Sequence, residues 1–171
     1  MAPTPTVKVG DTIPAGTFKY VPYSAELESN AACGRPLDLD ISKDWKGKKV
    51  VLFSVPGAFT PTCHVNHLPP YLQKYDEFKG KGVDVIAVLA SNDPFVMSGW
   101  GRFQDVKDKI LCLSDIGAEW SNKLGLALES PGGARTARYA IILDDLVIKY
   151  IEVEPAPGVS VSGADAVLAK L

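Results

Sequence analysis

The sequence predicts an α/β protein with a mixed central β-sheet flanked by helices. Three observations carry that reading. Two largely apolar runs, 50–55 and 83–90, bracket a stretch of helical spacing, and such strand–helix–strand units are almost always right-handed and parallel. Helix-like and strand-like stretches go on alternating as far as Gly125. Two more strand stretches, 138–143 and 146–153, are joined by a turn at Asp144-Asp145, so the last pair is antiparallel and lies at one end of the sheet.

The elements follow in order. Residues 1–16, rich in Pro, Thr and Gly, read as an irregular surface arm. Phe18 to Val21 is a short strand that stops at Pro22. Residues 24–34 form a polar loop without strong periodicity, and it carries Cys33 beside Gly34. Leu37, Leu39 and Ile41 alternate with Asp38, Asp40 and Ser42, as in a half-buried strand. A helical turn over Ser42 to Lys46 ends at Gly47, before the buried strand 49–55. After Cys63, apolar residues at Val65, Leu68, Leu72, Tyr75 and Phe78 predict one inward helix face. Pro69 and Pro70 predict a kink or break near Leu68, and Gly80 with Gly82 closes the helix.

Val83 to Ala90 is the next buried strand. Ser91-Asn92-Asp93-Pro94 is a helix start with Pro94 at the first position. The aromatics that follow, Phe95, Trp100 and Phe103, read first as core. Lys109 to Leu113 is a strand in which Leu111 and Leu113 face one way and Cys112 the other, an inert buried thiol. A short helix spans Glu119 to Leu124. The Gly-rich stretch 129–136 lacks the helix and lysine of a phosphate loop. A Pro/Gly loop covers 154–160. Ser162-Gly163-Ala164-Asp165 resembles a capping box opening the last helix, with Val167, Leu168 and Leu171 inward.

The totals narrow the function. At 171 residues the chain suits one domain, 1–171, with a real core. A net charge of -2 argues against nucleic acid or an anionic membrane surface as partner. No apolar run reaches membrane-span length, and the first residues carry no secretory pattern. A reducing compartment follows, where cysteines are more often reactive than structural. There are three, Cys33, Cys63 and Cys112, with no C-x-x-C pair. His64 and His67 flank Cys63, but no distant ligand cluster completes a metal site. We expect neither metal nor cofactor.

Pro56-Gly57-Ala58-Phe59-Thr60-Pro61-Thr62-Cys63 is the stretch that carries chemistry. The strand stops at Pro-Gly, Thr60 is a good N-cap, Pro61 fits the first helical position and Cys63 falls in the first turn. A sulfur there faces unpaired backbone N–H groups and the positive end of the helix, which favour thiolate over thiol. Pro56 shields the site and Thr60 supplies a hydroxyl. Cys33, on a loop able to move, is the candidate second redox thiol.

The Pro-x-x-x-Thr-x-x-Cys arrangement resembles the active-site loop of the peroxiredoxins. The longer run Pro-Gly-Ala-Phe-Thr-Pro-x-Cys is similar to the atypical two-cysteine subgroup of fungal alkyl hydroperoxide reductases and peroxisomal-membrane-associated relatives, over essentially the whole chain. The resemblance implies a thioredoxin-like fold and reduction of hydrogen peroxide or organic hydroperoxides through a Cys63 sulfenic acid. It also picks Arg138 over Arg135 as the cation reaching the cysteine; on sequence alone Arg138 reads as a strand-edge surface residue. His67, one turn after Cys63, resembles a histidine near the site in this group. The loop 157–162 lacks the resolving cysteine of some relatives, whereas Cys33 stands where the fungal pattern has one. The resemblance therefore implies a homodimer with a Cys63–Cys33 disulfide between subunits, a dimer contact near the 94–103 helix, and recycling by thioredoxin. A one-cysteine cycle with glutathione or glutaredoxin, a redox sensor or holdase, and a binding module with a dead site are the alternatives. The ending Ala169-Lys170-Leu171 is a variant of a peroxisomal tripeptide, which leaves cytoplasm and peroxisome both open.

Overall fold

The computed structural model describes residues 2–171. Its frame is a seven-stranded sheet in the order β2-β1-β5-β4-β3-β8-β9. The strands are β1 (Thr17–Tyr20), β2 (Leu37–Asp40), β3 (Lys49–Ser54), β4 (Val85–Ala90), β5 (Leu111–Ser114), β8 (Tyr139–Asp144) and β9 (Val147–Val153). A small hairpin of β6 (Ala127–Leu128) and β7 (Arg135–Thr136) stands apart. β3, β4 and β5 run parallel; β8 is antiparallel to β3, β9 to β8, and β1 to both β5 and β2. The mixed sheet is the one expected.

β3 reads as an unbroken apolar run because both its faces are covered. Val51, Phe53 and Val55 join one core with Leu68 and Tyr71 of α2 (Leu68–Gln73), Phe78 of α3 (Tyr75–Gly80), Met97 and Trp100 of α4 (Pro94–Phe103) and Val167 of α6 (Ala164–Leu168). Val50 and Leu52 join a second core with Ile41 of α1 (Ile41–Asp44), Trp120 of α5 (Glu119–Lys123), Phe18 and Trp45. Cys112 and Leu113 divide between these two cores, as alternation in a strand requires.

Several expectations shift. Most strand ends move by one or two residues, the ordinary scatter of element ends. The arm, over residues 2–16, is irregular as expected and is tied to the domain: Gly10 N–H donates to Ile148 O, Ile13 N–H to Leu146 O, and Thr6 N–H to Leu124 O. The β8–β9 turn is Asp145-Leu146, both with positive φ (46° and 68°), not Asp144-Asp145. A tight hairpin needs that mirror-image turn to match strand twist, and it accepts a leucine to keep register. Ser162 does not cap α6; Gly163 is the N-cap, without a side-chain bond.

The helix after Cys63 departs most. Cys63–His67 is a π-helical turn closed by Leu68 N–H to Cys63 O. Pro69 and Pro70 have no N–H to return, so the chain takes the wider turn just before them. The break near Leu68 is therefore present, and a second falls at Lys74, whose ψ is 15°. Val65 turns outward, 64% exposed, against expectation, while His67 and Tyr71 are fully buried. Of the aromatics in α4, Trp100 is core but Phe95 and Phe103 are 56% and 72% exposed.

α4 crosses β5 at close range: a Cβ at Gly101 would lie 2.7 Å from Cys112 Sγ and 3.1 Å from Val106 Cγ2. Gly101→Ala should destabilise by about 1–3 kcal/mol despite its better helix propensity. Adding Cys112→Ala should recover part of that loss in a urea double-mutant cycle, because the clash is with that sulfur.

Candidate active site

The segment leaving β3 is held in shape by its own bonds. Val55 O accepts from Thr136 Oγ1 (2.8 Å), and Ala58 N–H donates to Asn92 Oδ1 (2.8 Å). Phe59 has φ of 60° and is half exposed; this left-handed residue turns the chain into the helix. Pro56 is half-buried beside it. His64 N–H donates to Thr60 O (2.8 Å), the first helical bond. That leaves the N–H groups of Thr62 and Cys63 without intrahelical partners. Thr60 thus caps the helix with its carbonyl. Its hydroxyl donates back to Gly57 O (2.8 Å) instead of capping, as the sequence had suggested it would.

Cys63 lies inside, 1% exposed. Arg138, the residue before β8, reaches it from the neighbouring strand: Nη2–H donates to Sγ at 3.2 Å. The β3–β8 register makes this possible. Ser54 pairs with Tyr139, so Arg138 stands where β3 runs out into the cysteine loop. Nη1 donates to His67 Nδ1 at 2.9 Å. Among the described residues no carboxylate is within salt-bridge distance of Arg138, so its charge is not spent on one. Arg135 is exposed and covers the loop from outside, where a methyl on Gly57 would meet its Nη1 at 3.2 Å.

His67 continues the network inward. Its Nε2 lies 2.9 Å from Ser162 O, which also accepts from Tyr71 Oη (2.6 Å). A guanidinium only donates and a carbonyl only accepts. The ring proton is therefore on Nε2, and Nδ1 offers its lone pair to Arg138. Burial first, and then the Arg138 charge, lower the His67 pKa to about 4, with the Ser162 carbonyl and Glu154 opposing. The buried carboxylate of Glu154 stands behind Ser162 and gathers the N–H and hydroxyl of both Ser160 and Ser162 at 2.5–2.8 Å. Burial pushes this carboxyl up, but those hydrogen bonds outweigh it and hold it below its ordinary value. Tyr71 stacks on Phe53 with ring centroids 3.9 Å apart.

Cys33 is exposed and unbonded, on the loop before β2; within the chain it is not joined to Cys63. Arg102 of α4 ties that loop down, donating to Ala32 O (3.2 Å) and Ser29 O (2.8 Å). Cys112 has only Ile110 O as partner, at 3.9 Å, and burial pushes its thiol up to about 12. His64 turns away from Cys63 and accepts at Nδ1 from Trp100 Nε1 and Gln104 Nε2.

So the structure brings Cys63, Arg138 and His67 together, keeps Pro56 and Thr60 in the loop beside them, and leaves Cys33 outside. Sequence reasoning passed over Tyr71, Glu154 and Ser162. A Glu followed by two serines in a Pro/Gly loop was the only available sign, and it reads as ordinary surface.

This fold and this thiol site belong with a known class. A redoxin family model matches residues 8–168, and the chain belongs to the redoxin family. Its relatives are peroxiredoxins, which makes the chain a thiol-dependent peroxidase. A peroxiredoxin of Malassezia furfur is 48% identical, covering 96% of this chain and all of the relative. Peroxiredoxin Pen c 3 of Penicillium citrinum is 45% identical, covering 97% and 99%. A relative from Lipomyces kononenkoae that carries the name peroxisomal peroxiredoxin is 47% identical, covering 90% and 94%. Reduced Prx3 of Vibrio vulnificus, solved in complex with hydrogen peroxide, superposes with a TM-score of 0.84 at 39% identity, covering 96% and 98%. The thioredoxin-like fold expected from the cysteine loop is thus the one found.

Folded His67 is neutral, so the unfolded chain takes up a proton first as pH falls. Its stabilising share is complete above pH 6.5 and is lost as pH approaches about 4. Urea denaturation at both pH values should show the unsubstituted protein losing about 3 kcal/mol more than His67→Gln.

Proposed function

We propose that Cys63 is the peroxidatic nucleophile, with Arg138, the backbone N–H groups of Thr62 and Cys63, and the Thr60 hydroxyl around the bound peroxide. Support rests on one observation above all: a guanidinium with no carboxylate partner among the described residues donates to a buried sulfur at 3.2 Å. In the reaction the thiolate attacks the terminal oxygen of the hydroperoxide. The S–O bond forms as the O–O bond breaks. Cys63 becomes a sulfenic acid, and the leaving hydroxide or alkoxide departs as water or alcohol after taking a proton. Negative charge spreads over sulfur and two oxygens on the way, and donors already aimed there lower the barrier. Thr60 has to turn its hydroxyl from Gly57 O to the peroxide, or accept from it. Pro56 keeps water from the sulfur. The 1–171 chain acts as one domain, and no metal or cofactor takes part.

Recycling, on this reading, uses Cys33 of a second copy. Its thiolate attacks the sulfenic sulfur, the S–S bond forms as the S–O bond breaks, and the leaving hydroxide takes a proton and departs as water; a thioredoxin dithiol then reduces the disulfide. The exposure of Cys33 supports this, and so does an exposed apolar cluster around the cysteine loop. There Phe103 lies 6.0 Å from Phe59 and 5.3 Å from His64, ring to ring, which suits a homodimer contact. Glutathione or glutaredoxin is the competing reductant. For location, the name of the Lipomyces relative favours the peroxisome over the cytoplasm. Among the described residues no helix is long and apolar enough to cross a membrane.

Coupled turnover with peroxide, thioredoxin, its reductase and NADPH tests the reading. Cys63→Ser should abolish NADPH loss, and Arg138→Met should slow it about 10²-fold. If Cys63→Ser kept pace with the unsubstituted protein, the nucleophile would be elsewhere. On non-reducing gels Cys33→Ser should lose the peroxide-induced covalent dimer, and an undiminished dimer would remove Cys33 from the cycle.

A further inference from the structure

We propose that Glu154 is a positioning residue for the peroxide reaction, selecting the His67 tautomer that holds Arg138 against Cys63. The inference rests on the reading of Cys63 as nucleophile and extends it to a carboxylate that never touches the substrate.

A neutral imidazole has one proton for two nitrogens. With that proton on Nε2, Nδ1 accepts from Arg138 Nη1 at 2.9 Å and the guanidinium is free to aim Nη2 at the sulfur. With the proton on Nδ1, two N–H groups would face each other and the guanidinium would be displaced. The choice is made at Nε2, which meets two groups of Ser162. One is the carbonyl, 2.9 Å away, which can only accept and so favours a proton on Nε2. The other is the hydroxyl, 3.2 Å away, which could donate to Nε2 and so favour the opposite tautomer.

Glu154 settles this competition. Its Oε1 accepts the Ser162 hydroxyl proton at 2.7 Å, which leaves only oxygen lone pairs toward His67. The same oxygen accepts Ser162 N–H at 2.8 Å, fixing the peptide unit before the Ser162 carbonyl. The backbone N–H of Glu154 also donates to Arg138 O at 2.9 Å. One residue therefore holds the arginine main chain and, through Ser162 and His67, the arginine side chain.

The test uses the full chain with Cys33→Ser and Cys112→Ala, so that only Cys63 reports. Two readouts apply: the rate of Cys63 oxidation by hydrogen peroxide in single turnover, and the nitrogen NMR shifts of the His67 ring. Glu154→Ala should slow oxidation roughly 10-fold, the order found when an outer partner of a functional histidine is removed. It should shift His67 toward the Nδ1–H form. Adding Ser162→Ala removes the competing donor and should recover much of the rate, which a purely structural loss would not allow. If Glu154→Ala does not fold, the near-isosteric Glu154→Gln should move both readouts in the same direction. Unchanged rate and unchanged His67 shifts in a folded variant would overturn the proposal. A parent protein whose Cys63 does not react with peroxide would instead overturn the reading beneath it.

Discussion

One cation holds the site together. The Arg138 guanidinium sends one nitrogen to the Cys63 sulfur and the other to His67, and among the described residues no carboxylate shares its charge. A lysine could not make this arrangement, because the fork is planar and its two arms diverge at a set angle. The rest of the architecture serves that fork. β3–β8 pairing sets Arg138 beside the end of the strand that leads to Cys63. The π turn buries Cys63 and His67 together, and the segment after β9 closes the far side of the imidazole.

Two thiols are packed into this protein, and their surroundings separate them. Cys63 faces a cation and the free N–H groups of a helix start. Cys112 faces a carbonyl at hydrogen-bond limit and the backbone of Gly101, so burial alone acts on it and pushes its pKa up to about 12. Burial by itself disfavours a charged sulfur; a donor built against it changes that balance. The polar groups behind Cys63 are tolerable in a core because they are mutually satisfied. His67, Ser162, Glu154 and Tyr71 all have partners, and a half-satisfied set would cost more than an apolar one.

Much of this was legible from residue order. The strands announced themselves by apolar runs, the cysteine loop by Pro-Gly and Thr-Pro, and the broken helix by Pro69-Pro70. What went unread depended on which partners the folded loops and strands offer. Val65 was expected inside because the α-helical period places it there, but the π turn rotates it out. Thr60 and Ser162 were expected to cap helices, since that is what such residues do locally. Acceptors earlier in the same loops claim both hydroxyls, Gly57 O three residues before Thr60 and Glu154 eight residues before Ser162. The hairpin turn moved one residue because register between β8 and β9, not turn preference, decided it.

By itself the sequence determined the fold class and the presence of a sulfur at the start of a helix, because local periodicity and proline chemistry act within a few residues. The family resemblance had named Arg138, but only the tertiary structure shows how that arginine meets the sulfur and which ring nitrogen carries the His67 proton. Those outcomes depend on sheet register and on acceptors 71 to 95 residues away along the chain, distances over which local pattern carries no information.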